Sequence, residues 1–331
     1  MRTDTCDVPS GPKSIELKQE IMQVNLRSIV RQEPRWQGDV ARPIVRSLAR
    51  TRSVDFERLL RIEWRIRTIL GQPLSRKSWP RMTFNDKVDF RRMFSRDATL
   101  VAFSDKLAMR EYAMKRLGHQ SVPKLIHTSD CIDDFVNLPG PYVLKANHGS
   151  GMVIFVGTVD RMTNRQSAMA EAWLSIDYCW DDLEWGYRDA RRCLIAEEKL
   201  VSSDGEVPDD YKFFVFDGSV QMIQVDSKRF ENHRRLLLLP DWTPLEATLS
   251  YPRPSKVPEV APANLETMSE WASVLGKGLD FVRVDLYDLG SQVLVGELTP
   301  YPGGGRNVFR PSSYDHWLGG KWVNRDGKAG E

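Results

Sequence analysis

FVRVDLYDLGSQVLVGELT, residues 281–299, decides how the rest of this chain is read. Two runs rich in β-branched and aliphatic residues flank a Leu289-Gly290 break, the pattern of a β-hairpin. Strand side chains alternate faces with a period of two, so Arg283, Asp285 and Tyr287 share one face, and Glu297 and Thr299 share a face of the returning strand. A turn near Leu289-Gly290 makes the strands antiparallel neighbours and sets Asp285 beside Glu297. Two carboxylates so held repel unless a proton or cation intervenes. Hard oxygen donors of this kind suit Mg²⁺, above all when phosphates complete its shell. The same spacing also describes a hairpin with a solvated charged face.

Upstream, KANHGSG (145–151) follows the apolar run Tyr142-Val143-Leu144 and precedes GMVIFVG, so the glycines sit between two short strands. Glycines let backbone N–H groups approach phosphate oxygens, and Lys145 adds a point charge at the loop's start. The pattern is neither a P-loop nor a dinucleotide fingerprint. His148 either touches phosphate or caps the turn, and a tight polar turn is the other reading of the whole loop. IAEEKLV reads as a strand ending at Glu197-Glu198-Lys199, able to present its backbone to a purine edge or merely to solvent. In DDYK (209–212), Asp210 and Lys212 share a strand face, within reach of a ribose or phosphate or simply as an exposed charge pair.

Around these pieces the texture is mixed. Residues 1–20 are polar, and DFERLLRIEWRIRTIL carries a helical stripe of Phe56, Leu59 and Leu60 that Gly71 and Pro73 end. SDKLAMREYAMKRLG is helical up to Gly118, and VPKLIH (122–127) is a strand. Residues 167–180 return to helix, and YKFFVFDGSVQMIQVD is a hairpin around Asp217-Gly218. Residues 240–264 form a proline-rich connection, and 265–277 a helix with Met268, Trp271, Ala272 and Leu275 inward. This order predicts an α+β or α/β body rather than a bundle or sandwich. A helical lead-in (1–100) comes first and a polar tail (323–331) last.

The 331 residues carry a formal net charge of +2, with 41% hydrophobic and 28% charged side chains, and no general electrostatic footprint for nucleic acid. The four cysteines, Cys6, Cys131, Cys179 and Cys193, form no close ligand pair and no disulfide framework, which fits a reducing compartment. The N-terminus lacks the apolar core of a secretory signal, and no apolar run is long enough to span a bilayer. A cytoplasmic location follows, with peripheral attachment at the inner face of a membrane left open, as is the oligomeric state.

Taken in order, MTFNDKVDF, SDKLAMREY, LPGPYVLKANHGSG, IAEEKL, DDYKFFVFDG, VRVDLY and GELTPYPGGG resemble the ATP-grasp superfamily, and closely its teichuronopeptide-biosynthesis TupA-like branch. The likeness runs from about Arg76 to about Lys321. It implies an α+β fold in which two lobes, 101–200 with the phosphate loop and 201–322 with the metal-binding hairpin, clasp a nucleotide, with ATP and Mg²⁺ as cofactors. Lys106 and Lys145 resemble the two phosphate lysines, and Asn147, His148, Gly149, Ser150 and Gly151 the phosphate loop. Glu197, Glu198, Lys199 and Leu200 resemble the hinge beside adenine, with Glu198 the match to the adenine-side glutamate. Asp210 resembles the ribose anchor, with Lys212 beside it, and Arg283 the arginine at the transferring phosphate. Asp285 and Glu297 resemble the magnesium carboxylates, while Thr299 stands where many relatives have asparagine, as a weaker neutral donor. Residues 1–100 show no βαβ pattern, so the α/β domain that leads other members is reduced, altered or absent.

The resemblance implies a ligase joining a carboxylate to an amine through an acyl phosphate. Its partners are an amino acid or peptide amine and a carboxylate of a sugar acid or glycan precursor, in the making of cell-surface polysaccharide or glycopeptide. A glycosyltransferase of polysaccharide biosynthesis is the rival reading, since some proteins of this branch carry that label. A small-molecule kinase and a nucleotide-binding protein without turnover are the others.

Overall fold

The computed structural model describes residues 41–323, apart from 51–53, 70, 72–73, 158–160, 203–204, 206, 230–231 and 258–259. The polar start (1–20) and the tail beyond 323 lie outside the described residues. The chain divides into two compact units, Met1–Gln72 and Pro73–Glu331. The first contains α1 (Ala41–Arg50) and α2 (Phe56–Ile69). On α2 the predicted stripe is buried at Phe56, Leu59 and Leu60, with Ile66 beside it.

The second unit opens on helices: α3 (Phe84–Phe94), α4 (Ala98–Ser104) and α5 (Lys106–Leu117). Each start is fixed by a polar side chain. Thr83 and Asp86 form a reciprocal capping box, and Asp97 and Asp105 accept backbone N–H groups of the first turns. Gly118, at φ 96°, ends α5 as its sequence predicts.

Next comes an antiparallel sheet in the order β1-β4-β2-β3: β1 (Leu125–Ser129), β2 (Tyr142–Ala146), β3 (Val153–Val156) and β4 (Leu194–Glu198). The short helix α6 (Asp133–Val136) lies between β1 and β2, and α7 (Asn164–Ser175) and α8 (Cys179–Asp182) between β3 and β4. The helix expected over 167–180 is thus two helices: the first starts at a Thr163–Gln166 capping box and stops at Ile176, in extended backbone. The strand expected at 122–127 starts three residues later, at Leu125. Tyr142, Leu144, Ala146, Leu194 and Ala196 pack with Ala170 and Trp173 of α7. Period two then turns Val143, Lys145 and Glu197 to the opposite face.

A second antiparallel sheet has the order β10-β9-β5-β6-β7, from β5 (Asp210–Phe216), β6 (Ser219–Ser227), β7 (Arg234–Leu238), β9 (Val282–Asp288) and β10 (Val293–Thr299). Asp217 and Gly218 both take positive φ, as the two-residue hairpin turn requires. β8 (Thr248–Leu249) comes from the proline-rich connection and pairs with β11 (Phe309–Arg310). α9 (Leu265–Gly276) covers one face of the sheet, over Phe213, Val215, Val282, Val284 and Leu286, and α10 (Ser313–Lys321) ends the described chain. The other face carries Asp210, Lys212, Arg283, Asp285, Glu297 and Thr299. The architecture is the expected α+β one, with two lobes. No helix of the described residues is long and apolar enough to cross a membrane.

One irregularity sets the chemistry of that face. From the turn, Asp288 pairs with Val293, Tyr287 with Leu294 and Leu286 with Val295. Strict continuation would place Gly296 opposite Asp285 and turn Glu297 to the apolar side. A bulge at Gly296 shifts the register, so Glu297 pairs with Asp285 and Thr299 with Arg283.

Candidate functional site

The β2–β3 loop is braced from behind. Asn147 is fully buried: its Oδ1 accepts the Leu107 N–H at 2.8 Å and its Nδ2 donates to the Arg191 carbonyl at 2.8 Å. His148 is also buried, with Nε2 3.0 Å from the Trp173 carbonyl, and burial holds its pKa below the ordinary value. The buried imidazole thus turns toward α7. The tip behind these anchors is Gly149, exposed Ser150, and Gly151 at φ 73°. Lys106, first residue of α5, donates its Nζ to the Gly149 carbonyl, so helix start and loop are tied at one point.

Lys145 Nζ lies 2.6 Å from Glu197 Oε2, and Arg110 Nη1 of α5 lies 2.6 Å from Glu197 Oε1. Arg110 also donates to the Pro123 carbonyl at 2.6 Å. Burial alone would push the Glu197 carboxyl up, but the two cations outweigh it and its pKa falls. Burial likewise opposes the charge on Lys145, and Glu197 more than restores it. Lys106 has no such close carboxylate: burial lowers its pKa, with Lys145 adding to the effect and Glu297 opposing it. Glu198 accepts the Lys124 N–H at 2.7 Å, Lys199 is exposed, and Leu200 is half-buried.

On the second sheet, Asp285 is 3% exposed and fully engaged. Arg283 donates to it twice, from Nε and Nη2, both at 2.7 Å, and Lys212 Nζ donates at 2.8 Å. The same Arg283 Nη2 reaches Thr299 Oγ1 at 3.0 Å and stands 4.0 Å from Glu297 Oε2. One guanidinium therefore spans all three candidate metal donors. Oxygens from two adjacent strands that already converge on a single cation are a donor set that fits Mg²⁺. Lys212 also bridges to Asp210; burial works against its charge, and Asp210 and Asp285 raise its pKa. Asp210 is 2% exposed, and its Oδ1 is buried with no hydrogen-bond partner. A buried carboxylate oxygen left without a donor is an exception among buried polar atoms.

A cleft with about 560 Å³ of space lies against the first sheet's face of Val143, Lys145 and Glu197 and is bordered by Tyr287 of β9. Val143, Val153, Phe155, Leu200 and Val207 give it an apolar end; Lys145, Glu197, Arg229 and Tyr287 line the rest. The structure thus gathers Lys145, Glu197, Glu198 and Leu200 at the cleft wall, and sets Asp210, Lys212, Arg283, Asp285, Glu297 and Thr299 on one sheet face. The side chains of Asn147 and His148 are directed into the fold instead.

Several contributors escape a motif reading. Arg110 is a helix residue whose partner, Glu197, is 87 positions away. α3, from the MTFNDKVDF segment, braces the loop after β10: Arg91 donates to the Pro300 carbonyl at 3.0 Å and Asn85 to the Asn307 carbonyl at 2.8 Å. That loop holds Gly303, Gly304 and Gly305 at φ 57°, 59° and 72°. Arg306, just after it, pairs with Asp182 of α8 at 2.5 Å.

No curated protein matches the chain. Among solved structures, the D-alanine–D-alanine ligase of Bacillus anthracis complexed with ATP is similar over 66% of this chain and 63% of its own, at 16% identity and a TM-score of 0.38. The ATP-grasp ligase PsnB complexed with its minimal precursor is similar over 61% of this chain and 53% of its own, at 13% identity and a TM-score of 0.35. The chain therefore spans less than two thirds of either protein's length. The model of the family described as TupA-like ATPgrasp matches residues 86–323, and the chain belongs to that family.

Proposed function

We propose that this protein is an ATP-dependent carboxylate–amine ligase that forms an amide through an acyl phosphate. The observation that carries this reading is the cleft itself. An apolar slot of Val143, Val153, Phe155, Leu200 and Val207, fit for a flat base, adjoins Lys145, Glu197, Arg229 and Tyr287, and the sheet face that carries Tyr287 also carries the Arg283–Asp285–Lys212 cluster. In this reading the hinge at Glu197–Leu200 meets the adenine edge, and Asp210 Oδ1 accepts a ribose hydroxyl. Lys106, Lys145 and the backbone N–H groups of Gly149–Gly151 hold the phosphates, while Asn147 and His148 keep the loop in shape behind them. Asp285, Glu297 and Thr299 would hold Mg²⁺, which supplies charge neutralisation on phosphate oxygens.

Arg283 then has two tasks. It steadies the transferring phosphoryl group, and it offsets the negative charge that develops on the carbonyl oxygen when the amine attacks. The acyl phosphate hydrolyses readily, so the glycine loop and the segment around α8 must exclude water. The glycine loop at 303–305 has three consecutive positive-φ residues; the Gly304 N–H is spent on the Tyr301 carbonyl, and exposed Gly303 is the residue suited to offer an N–H to the acceptor carboxylate.

The substrates we infer are an amino acid or peptide amine and a sugar-acid or glycan-precursor carboxylate, used in the cytoplasm to build a cell-surface polymer. The test is mass analysis of products from the purified full chain given ATP, Mg²⁺ and pooled amino acids and sugar acids, with ADP and phosphate followed in parallel. Amide products with ADP and phosphate in equal amounts support the ligase. A nucleoside diphosphate released from a nucleotide sugar, with a glycoside product, would replace it with the glycosyltransferase.

A further inference from the structure

Every residue that lines the cleft belongs to the second unit, and α2 of the first carries a surface of a different kind. At 3.6 residues per turn its side chains divide into two opposite faces. Phe56, Leu59, Leu60, Glu63, Ile66 and Arg67 are buried on one. Arg58, Arg61, Trp64, Arg65, Thr68 and Ile69 are exposed on the other. Spacings of three and four set Arg58, Arg61 and Arg65 in one row. Trp64, 39% exposed, flanks that row, and Ile69, 77% exposed, continues it at the helix end. The charge of the row is not cancelled from within. Residues 58–69 hold four arginines and a single acid, Glu63. Glu63 is buried and paired with Arg67 at 3.3 Å, so those two charges offset each other beneath the surface. Asp55, ahead of the helix, accepts the backbone N–H of Arg58 at 2.8 Å, and Glu57 is half-buried with contacts of its own. The side chains of Arg58, Arg61 and Arg65 have no ion-pair or hydrogen-bond partner among the described residues.

We propose that the exposed face of α2 is a membrane-docking surface, by which the first unit holds the enzyme on a leaflet rich in anionic lipid. The chemistry of the face fits that partner at each position. Guanidinium forks match the phosphate and carboxylate groups of anionic headgroups, an indole sits well at headgroup level, and an aliphatic side chain gains by entering the acyl boundary. With 14 residues, α2 lies on a bilayer rather than across it. A nucleic acid would also take the arginines and stack on Trp64, but it offers nothing to an aliphatic side chain as exposed as Ile69. The proposal stands apart from the ligase reading, since it uses no residue of the cleft.

The test is flotation of the full chain with vesicles of phosphatidylcholine alone and of phosphatidylcholine mixed with phosphatidylserine. The parent should bind the mixed vesicles and not the neutral ones, and should come off as salt is raised, because exposed charges are screened. Each arginine near an anionic surface is worth roughly five-fold in partition, so Arg58→Gln, Arg61→Gln and Arg65→Gln combined should weaken binding about a hundred-fold. Lysine at the same three positions should keep most of it. Both Gln and Lys suit a helix, so loss with one and retention with the other separates charge from unfolding. Ile69→Ser should weaken binding several-fold with the charge unchanged. Equal binding to both vesicles, binding to neither, or undiminished binding by the glutamine variant or by I69S overturns the proposal. A parent that ignores the mixed vesicles yet binds a DNA duplex through the same three arginines overturns it in favour of a nucleic acid.

Discussion

Replacing Asp285 by Asn tests the second sheet most directly, because the structure reverses the effect expected from the carboxylates alone. Two carboxylates on adjacent strands should repel, and removing one should then stabilise the ligand-free protein. Asp285 is instead 3% exposed and accepts three charge-assisted hydrogen bonds, two from Arg283 and one from Lys212. Taking away its charge leaves two buried cations short of a partner. Breaking a buried pair from one side costs about 3–5 kcal/mol. Glu297 is different: its side chain is 32% exposed and lies 4.0 Å from Arg283, the geometry of a pair worth at most about 1 kcal/mol. At roughly 2 °C per kcal/mol for a unit of this size, D285N should melt about 6–10 °C below the parent and E297Q within about 2 °C of it. The assay is a thermal melt in EDTA without nucleotide, repeated with Mg²⁺ and ATP. The parent should gain stability from the ligands, since they bind the folded state, and both variants should gain less. A D285N protein that melts with or above the parent in EDTA would refute the argument, and Arg283 and Lys212 would then not be spending their charge on Asp285.

Three further outcomes follow from the first sheet and the bulge. Lys145→Ala should fold, because Glu197 keeps Arg110 at 2.6 Å, yet weaken ATP roughly ten-fold or more in calorimetry; unchanged affinity would remove Lys145 from the phosphate site. Glu197 has a folded-state pKa below its ordinary 4.5, so the stability it lends is complete above that value and disappears as pH falls through the lower one. Urea midpoints measured from about pH 6 down to about pH 3 should therefore drop less steeply in Glu197→Gln than in the parent, and parallel curves would contradict the pairing. In Gly296→Ala the new Cβ would stand 2.7 Å from the Tyr287 ring, so the ring must move or the bulge must relax. A cost of about 1–3 kcal/mol and a reduced thermal shift with Mg²⁺ and ATP are expected, and a full ligand-induced shift would show that the bulge is dispensable.

What could be read from the chain divides along a physical line. Features fixed by neighbouring residues were legible. Asp217-Gly218 demands a turn with two positive φ values, Gly118 stops α5, and period two assigns Arg283, Asp285 and Tyr287 to one face. The pairing of Asp285 with Glu297 was legible in outcome but not in cause. Counted from the turn that forms, strict alternation opposes Asp285 with Gly296, and only the bulge restores the expected neighbour. Groups defined by distant partners were not legible. His148 reads as a loop residue until α7 supplies the Trp173 carbonyl, and nothing local in MTFNDKVDF tells that Asn85 holds Asp315, 230 positions on.

Arg229 marks the limit of that division. It follows a strand that reads clearly from its alternation, and it meets Asp210 because β5 and β6 are a hairpin. The register pairs Asp210 with Asp226, so Arg229, three positions further on, has left the ladder just where it can fold back over Asp210. Arg235 of β7 meanwhile occupies Asp226 with a two-pronged contact at 2.6 and 3.0 Å. Each carboxylate of the pair thus has its own arginine, and the two arginines differ in one respect. Arg235 is buried with its partner, while Arg229 is the one open to the cleft. The buried Arg235–Asp226 pair ties β7 to β6, and the partly exposed Arg229–Asp210 pair ties the segment after β6 to the start of β5.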